Sequence, residues 1–120
     1  MTATSTRYAL LPERGLIRLA GPDAQGFLQA LVSNDMAKLE RQRAIYAALL
    51  TPQGKYLHDF FVVAWAGALW LDCERSRQAD LQRRLSLYRL RSKIEIADDN
   101  GAHAVAAVFG GDALAVLRLP

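Results

Sequence analysis

The 120-residue sequence predicts an α+β fold: a mainly antiparallel sheet with helices packed on one face, in the order β-α-β-β-β-α-β-β. Three observations predict it. Two segments place apolar residues at helical spacing. Six short segments are rich in β-favourable residues and end in Gly, Pro, Asn or Asp. Three of those follow one another through tight turns, which joins strands antiparallel.

Residues 1 to 7, Met1-Thr2-Ala3-Thr4-Ser5-Thr6-Arg7, read as a flexible tail, and residues 8–120 as the folded part. Leu16 to Ala20 is the first strand, with Ile17 and Leu19 favouring it. Gly21-Pro22-Asp23 turns the chain, and Asp23 is placed to cap a helix. Ala24, Phe27, Leu28 and Leu31 form its apolar stripe. Ser33-Asn34-Asp35 stops it, because these side chains compete for backbone hydrogen bonds. Leu39 to Arg43 is a charged loop or short turn.

Ile45 to Leu50 is a strand, closed by the turn Thr51-Pro52-Gln53-Gly54. Tyr56 to Trp65 is a long strand, Ala66-Gly67 a hairpin turn, and Ala68 to Asp72 the returning strand. Ser76 is expected to cap a second helix, whose residues Leu81, Leu85 and Tyr88 recur at i, i+4, i+7 and dock on the sheet. Lys93 to Ala97 alternates as a strand, Asp98-Asp99-Asn100-Gly101 turns, and Ala104 to Phe109 is the last strand before Gly110-Gly111. Asp112 to Leu117 starts a third helix.

Composition narrows the function. Hydrophobic residues make up 52% and charged residues 22%, so the chain can bury a core and is not a disordered polymer. A lone cysteine, Cys73, excludes an internal disulfide framework, and with only two histidines a classical zinc module is excluded as well. The longest uncharged apolar run, Phe60 to Leu71, has 12 residues interrupted by Gly67, too short for a membrane span. The first seven residues lack the apolar core of a secretory signal. The expectation is therefore a cytoplasmic, reducing setting with no membrane partner and no directly bound metal.

Charge is unevenly spread. From Arg75 to Lys93 there are seven basic residues and one acid, Asp80, a net of +6; the remaining eight basic and eleven acidic residues leave the rest at −3. Arginine supplies twelve of the fifteen cations, and its planar fork suits carboxylates and phosphates. The segment reads either as a solvated helix face or as an anion- or RNA-facing surface, with Arg83, Arg84, Arg89 and Lys93 as the contacts.

Asp59 is the most informative residue. By the period of two, Leu57, Asp59, Phe61, Val63 and Trp65 share one face of the long strand; Tyr56, His58, Phe60, Val62 and Ala64 share the other. Both faces are largely apolar, so the strand is expected to be central and covered on both sides. A carboxylate there must be hydrogen-bonded. It is either a residue that reaches solvent or a backbone donor, or a ligand-facing acid that grips an amine or amide N–H. His58 faces the opposite side and reads as structural, and His103 as exposed. Trp65 and Trp70 flank the hairpin turn as core or cross-strand partners. Cys73 lies between Asp72 and Glu74, whose charge keeps the thiol protonated, and it reads as structural. Phosphate-loop, dinucleotide-binding, zinc-protease and serine-hydrolase motifs are absent from the sequence.

Three blocks, taken in order, resemble a known family. They are Leu16-Ile17-Arg18-Leu19-Ala20-Gly21-Pro22-Asp23-Ala24 with Phe27 to Asp35; Tyr46 to Val62, containing Thr51-Pro52-Gln53-Gly54-Lys55 and His58-Asp59; and Leu87-Tyr88-Arg89-Leu90-Arg91-Ser92-Lys93-Ile94-Glu95-Ile96. Together they resemble the YgfZ-type folate-binding proteins, relatives of the glycine-cleavage T-protein (aminomethyltransferase). The resemblance implies the N-terminal part of the aminomethyltransferase folate-binding fold over residues 8–120, tetrahydrofolate as ligand, and a role in assembling or maintaining iron–sulfur clusters. It also implies iron–sulfur client proteins and a link to tRNA modification.

In the T-protein an aspartate at the matching position binds the pterin, which falls on Asp59 here. Asn34 and Tyr88 would line or brace the site, and Arg91 with its cationic neighbours would meet the folate glutamate tail or a partner's phosphate. Thr51 stands where the T-protein pattern has asparagine, which favours the YgfZ branch. The branch's Lys-Gly-Cys signature does not occur, and Cys73 does not match it, so the chain is expected to be the N-terminal part of a longer protein and not catalytic alone. The alternatives are an aminomethyltransferase and a module binding RNA or an acidic partner.

Overall fold

The computed structural model describes residues 6–99, 102–113 and 117. Among the described residues seven strands and two helices follow in the order β1 (Arg7–Leu10), β2 (Arg14–Ala20), α1 (Ala24–Leu31), β3 (Ala44–Leu50), β4 (Tyr56–Trp65), β5 (Ala68–Glu74), α2 (Gln78–Leu87), β6 (Glu95–Asp98) and β7 (Ala106–Phe109). Short 3₁₀ turns, Met36–Glu40 and Arg75–Arg77, lead into β3 and α2. Five strands form one sheet in the order β3-β4-β5-β2-β6, every neighbour antiparallel. The expected fold class is the observed one.

One face of this sheet makes the core. Ile17 and Leu19 of β2, Phe60 and Val62 of β4 and Leu71 of β5 are buried against Leu28 of α1 and Leu81 and Leu85 of α2. Helical spacing turns those leucines to one side, and the period of two does the same for the strands. Among the described residues, neither α1 nor α2 packs on the other sheet face. Tyr46, Phe61 and Trp65 there are each about half exposed. The expectation that β4 is covered on both sides is thus corrected: its apolar second face is open, because both helices pack on the first.

Several boundaries differ from the sequence reading for identifiable reasons. Strand β1 was not expected, and Arg7, read as the last residue of a flexible tail, opens it. All four of its residues are exposed, so no burial pattern marks it; it is held by antiparallel pairing with β7 in a separate two-stranded sheet. Asp23 does not cap α1. Its carboxylate accepts the Lys93 backbone N–H at 2.6 Å, while the Asp23 N–H donates to the Lys93 carbonyl at 3.3 Å. With both its backbone groups so engaged, Lys93 lies outside the ladder, and β6 starts at Glu95. Ser76 lies inside a 3₁₀ turn, and α2 begins without a side-chain cap. Tyr88 ends α2 half exposed and does not join Leu81 and Leu85 in the core. Half of the third helix expected from Asp112 to Leu117, residues 114–116, lies outside the described residues, as do Asn100 and Gly101 of the expected turn.

Gly21 joins β2 to α1 at φ 115°, a backbone conformation that glycine adopts freely. A methyl group there would meet the Lys93 carbonyl oxygen and the Ile94 Cα. Gly21→Ala is expected to destabilise the fold by about 1–3 kcal/mol, measured by urea unfolding. An unchanged midpoint would show that the Asp23–Lys93 junction tolerates displacement.

Candidate functional site

The site is built on the β3–β4 hairpin. Pro52 opens its turn and Gly54 closes it at φ 85°; the Gly54 N–H donates to the Thr51 carbonyl at 2.8 Å. The Thr51 hydroxyl also accepts the Lys55 N–H at 3.0 Å. Beyond the turn, Leu50 pairs with Tyr56 but Leu49 pairs with His58, so the register slips by one residue at Leu57. Such a bulge reverses the alternation on one side of it. Tyr56, which strict alternation places with His58, is brought to the face of Asp59 instead.

Two tyrosine hydroxyls therefore converge on Asp59. Tyr46 of β3 donates to Oδ2, and Tyr56 donates to Oδ1 at 3.0 Å. The Tyr46 hydroxyl bond is the main reason the Asp59 carboxyl titrates below its ordinary range; partial burial opposes it, and the Tyr56 bond and the Arg14 charge assist. The same bond pushes the Tyr46 phenol up, and the Tyr56 phenol is raised by desolvation and then by Asp59. The result is an ionised carboxylate on an open, aromatic sheet face. Each of its oxygens has two lone pairs, and each gives one to tyrosine.

Asn34 serves this arrangement from the strand edge. Its Nδ2 donates to the Tyr46 carbonyl at 2.8 Å and its Oδ1 accepts the Asp35 N–H at 2.7 Å. Next to it, the Ser33 N–H donates to the Ala48 carbonyl and the Ser33 hydroxyl accepts the Ala48 N–H, both at 3.0 Å. These residues satisfy the outer edge of β3 that would otherwise be unpaired.

Along β4 from Asp59 the face is aromatic. The Phe61 ring lies 5.3 Å from that of Tyr46. Further on, Val63, Trp65, Trp70, Asp72 and His103 line a shallow cavity of about 320 Å³. His103 packs edge-on against both tryptophans and is held through Nδ1 by Asp99 at 2.9 Å. The guanidinium of Arg18 lies 6.0 Å from the Trp70 ring, and Arg14 pairs with Asp72 at 2.8 Å. Asp59 stands beside this cavity on the same face and does not line it.

The remaining residues singled out from the sequence lie elsewhere. Tyr88 borders a cavity of about 420 Å³ beside α1, with Phe27, Leu31 and Ser92, on the helical side of the sheet. Arg91 follows it in the same exposed loop. Neither is brought to Asp59, because the sheet lies between them. Arg83 and Arg84 both bind Asp80, at 2.7 and 2.8 Å, and the buried His58 reaches the same carboxylate at 2.7 Å. Arg75 donates to the carbonyls of Pro12 and Arg14. The basic segment is therefore partly internal wiring, with Arg89, Arg91 and Lys93 exposed. Cys73 is buried, and burial, more than its acidic neighbours, pushes its thiol up to about 11. Among the described residues no group of three or more His, Cys, Asp and Glu side chains could hold a metal ion, and no helix is long and apolar enough to cross a membrane.

Tyr46 and Tyr56 were not foreseen. The signal for Tyr46 is its place on the strand that pairs with β4; Tyr56 depends on the bulge, which no residue type announces.

Residues 13–119 match the family described as the GCVT N-terminal domain, and the chain belongs to that family. It is 34% identical over 116 residues to the mitochondrial iron-sulfur cluster assembly factor IBA57 homolog of Aspergillus oryzae, covering 83% of this chain and 26% of the relative. To the mitochondrial iron-sulfur cluster assembly factor IBA57 of Mus musculus it is 31% identical, covering 82% and 31%, and to that of Homo sapiens 33% identical, covering 72% and 28%. The chain thus spans between a quarter and a third of the length of these relatives. The crystal structure of glycine cleavage system aminomethyltransferase T from Bartonella henselae superposes with a TM-score of 0.79 at 21% identity, over 99% of this chain and 34% of that one. That likeness shows the aminomethyltransferase N-terminal fold.

Asp80 sits at the hub of the charge cluster. Arg84 first, then Arg83 and His58, hold its carboxyl well below the usual carboxylate range. A carboxyl depressed in the native state stabilises it fully above the unfolded-chain value of about 3.9 and loses that contribution as pH falls toward the native value. The wild type is expected to exceed Asp80→Asn in stability near neutral pH, and the gap to narrow below about pH 4. Thermal unfolding across that range checks it; a pH-independent gap would contradict it.

Proposed function

We propose that the chain is the tetrahydrofolate-binding N-terminal part of a protein that assembles or maintains iron–sulfur clusters, on the YgfZ-type branch of its family, with a linked role in tRNA modification through iron–sulfur enzymes. The observation that carries the folate reading is Asp59: a carboxylate oriented by two tyrosine hydroxyls, on a sheet face that also presents Tyr46 and Phe61. The pyrimidine edge of a reduced pterin offers two adjacent N–H donors, which fit two carboxylate oxygens. The neighbouring aromatic rings suit the flat faces of such a ligand. The Asp59 face is open, so further walls of the site would come from polypeptide or partner outside this chain.

The iron–sulfur reading rests on the names of the relatives, and Thr51 supports the YgfZ branch. The cytoplasmic setting rests on sequence alone, since those relatives are named as mitochondrial. An aminomethyltransferase shares the fold but has only that in its favour. The RNA module is weaker still, because Arg83 and Arg84 are spent on Asp80.

Tetrahydrofolate titrated into the full-length protein is expected to bind wild type at least about tenfold more tightly than Asp59→Asn, the scale of a lost hydrogen bond to a charged group. Equal affinities would remove Asp59 from the site. In cells lacking the protein, iron–sulfur enzyme activities should fall while enzymes without clusters keep theirs; unchanged cluster enzymes would defeat the assembly role.

A further inference from the structure

We propose that Tyr46 and Tyr56 are positioning residues that hold the Asp59 carboxylate as a doubly oriented acceptor, so that the site selects a neutral ligand edge carrying two neighbouring N–H donors and rejects carboxylates and other anions. The proposal rests on the reading of Asp59 as the ligand-binding acid. It deepens that reading by assigning the selection to two residues that nothing in the sequence motif requires.

The geometry carries it. The two hydroxyls come from different strands and approach different carboxylate oxygens, Tyr46 at Oδ2 and Tyr56 at Oδ1. A single donor would fix one oxygen and let the carboxylate swing; two donors on opposite oxygens fix its plane as well. The hairpin pays for this with a bulge, since without the slip at Leu57 the Tyr56 ring would lie on the far side of the sheet. Tyr46 in turn is held by the Asn34 amide on its carbonyl, at the strand edge. Both rings are about half exposed, so neither is needed to fill the core. The remaining charged groups nearby act at longer range: Arg14 from β2 on Asp59 and Tyr46, and Glu74 and Arg77 from the end of β5 and the turn after it on Tyr56.

An acceptor fixed in this way, with its own backbone N–H also directed at it, presents only oxygen lone pairs to a ligand. An N–H donor pair completes it, whereas a carboxylate or phosphate brings only acceptors and like charge. Removing one tyrosine should leave the acid in place but let it take up a proton more readily and turn more freely.

The test follows the Asp59 side-chain carboxyl by carbon NMR during acid titration of wild type, Tyr46→Phe and Tyr56→Phe, with tetrahydrofolate affinity measured on the same proteins at pH 7. The titration midpoint is expected to move to higher pH in both variants, further in Tyr46→Phe, and affinity to fall severalfold in each. Midpoints unchanged in both variants would overturn the proposal. Should Tyr46→Phe lose its folded spectrum, Tyr56→Phe decides alone by the same criterion. If the midpoints move but wild type binds no tetrahydrofolate, the folate reading fails, and with it the selection assigned here. If wild type binds tetrahydrofolate and the midpoints stay put, only the tyrosine assignment falls.

Discussion

Two hydroxyls are aimed at the Asp59 carboxylate on an aromatic surface, and both depend on how β3 and β4 pair. The pairing is antiparallel and regular from Ala44 to Leu49, which places Tyr46 one step along the face from Asp59. It then slips by one residue, which brings Tyr56 over as well. Ser33 and Asn34 complete the outer edge of β3, so the strand carrying Tyr46 is bonded on both sides. The carboxylate is thus a property of the hairpin as a unit. A change at the turn, the bulge or the edge would reach it without touching it.

The sheet separates two chemistries. On the helical side the leucines of α1 and α2 close the core, and a strongly polar cluster there, His58 with Asp80, Arg83 and Arg84, ties α2 to β4. On the open side, Asp59 and the row of Phe61, Val63 and Trp65 face outward beside the Trp70–His103 cavity. Two cations of the basic segment that looked like an anion-binding surface, Arg83 and Arg84, bind Asp80 on the first side. The open side offers the partly aromatic surface, with an acceptor carboxylate, that a heterocycle with hydrogen-bond donors would use.

Most of the fold was legible in the residues. The stripe of Ala24, Phe27, Leu28 and Leu31 and the pair Leu81 and Leu85 marked both helices. Proline and glycine punctuation at Thr51–Gly54 and Ala66-Gly67 marked the meander, and the observed β4 has the expected limits. What was hidden depends on contacts distant in sequence. The exposed strand β1 has no burial pattern to announce it. Asp23 prefers the Lys93 backbone over its own helix, which also delays β6. Asp59 was legible as an acid on an apolar strand, sharing a face with Phe61, Val63 and Trp65, but the bulge exchanges Leu57 for Tyr56 beside it. Its tyrosine partners were not, since one comes from register and the other from a bulge. Tyr88 and Arg91 were grouped with Asp59 through resemblance, and the sheet keeps them apart.

The most direct measurement is an experimental structure of the protein with tetrahydrofolate bound. The account predicts the pteridine ring on the open sheet face over Tyr46 and Phe61, its donor edge within hydrogen-bond distance of both Asp59 oxygens. A pteridine seated on the helical side near Tyr88, or anywhere out of reach of Asp59, would contradict it.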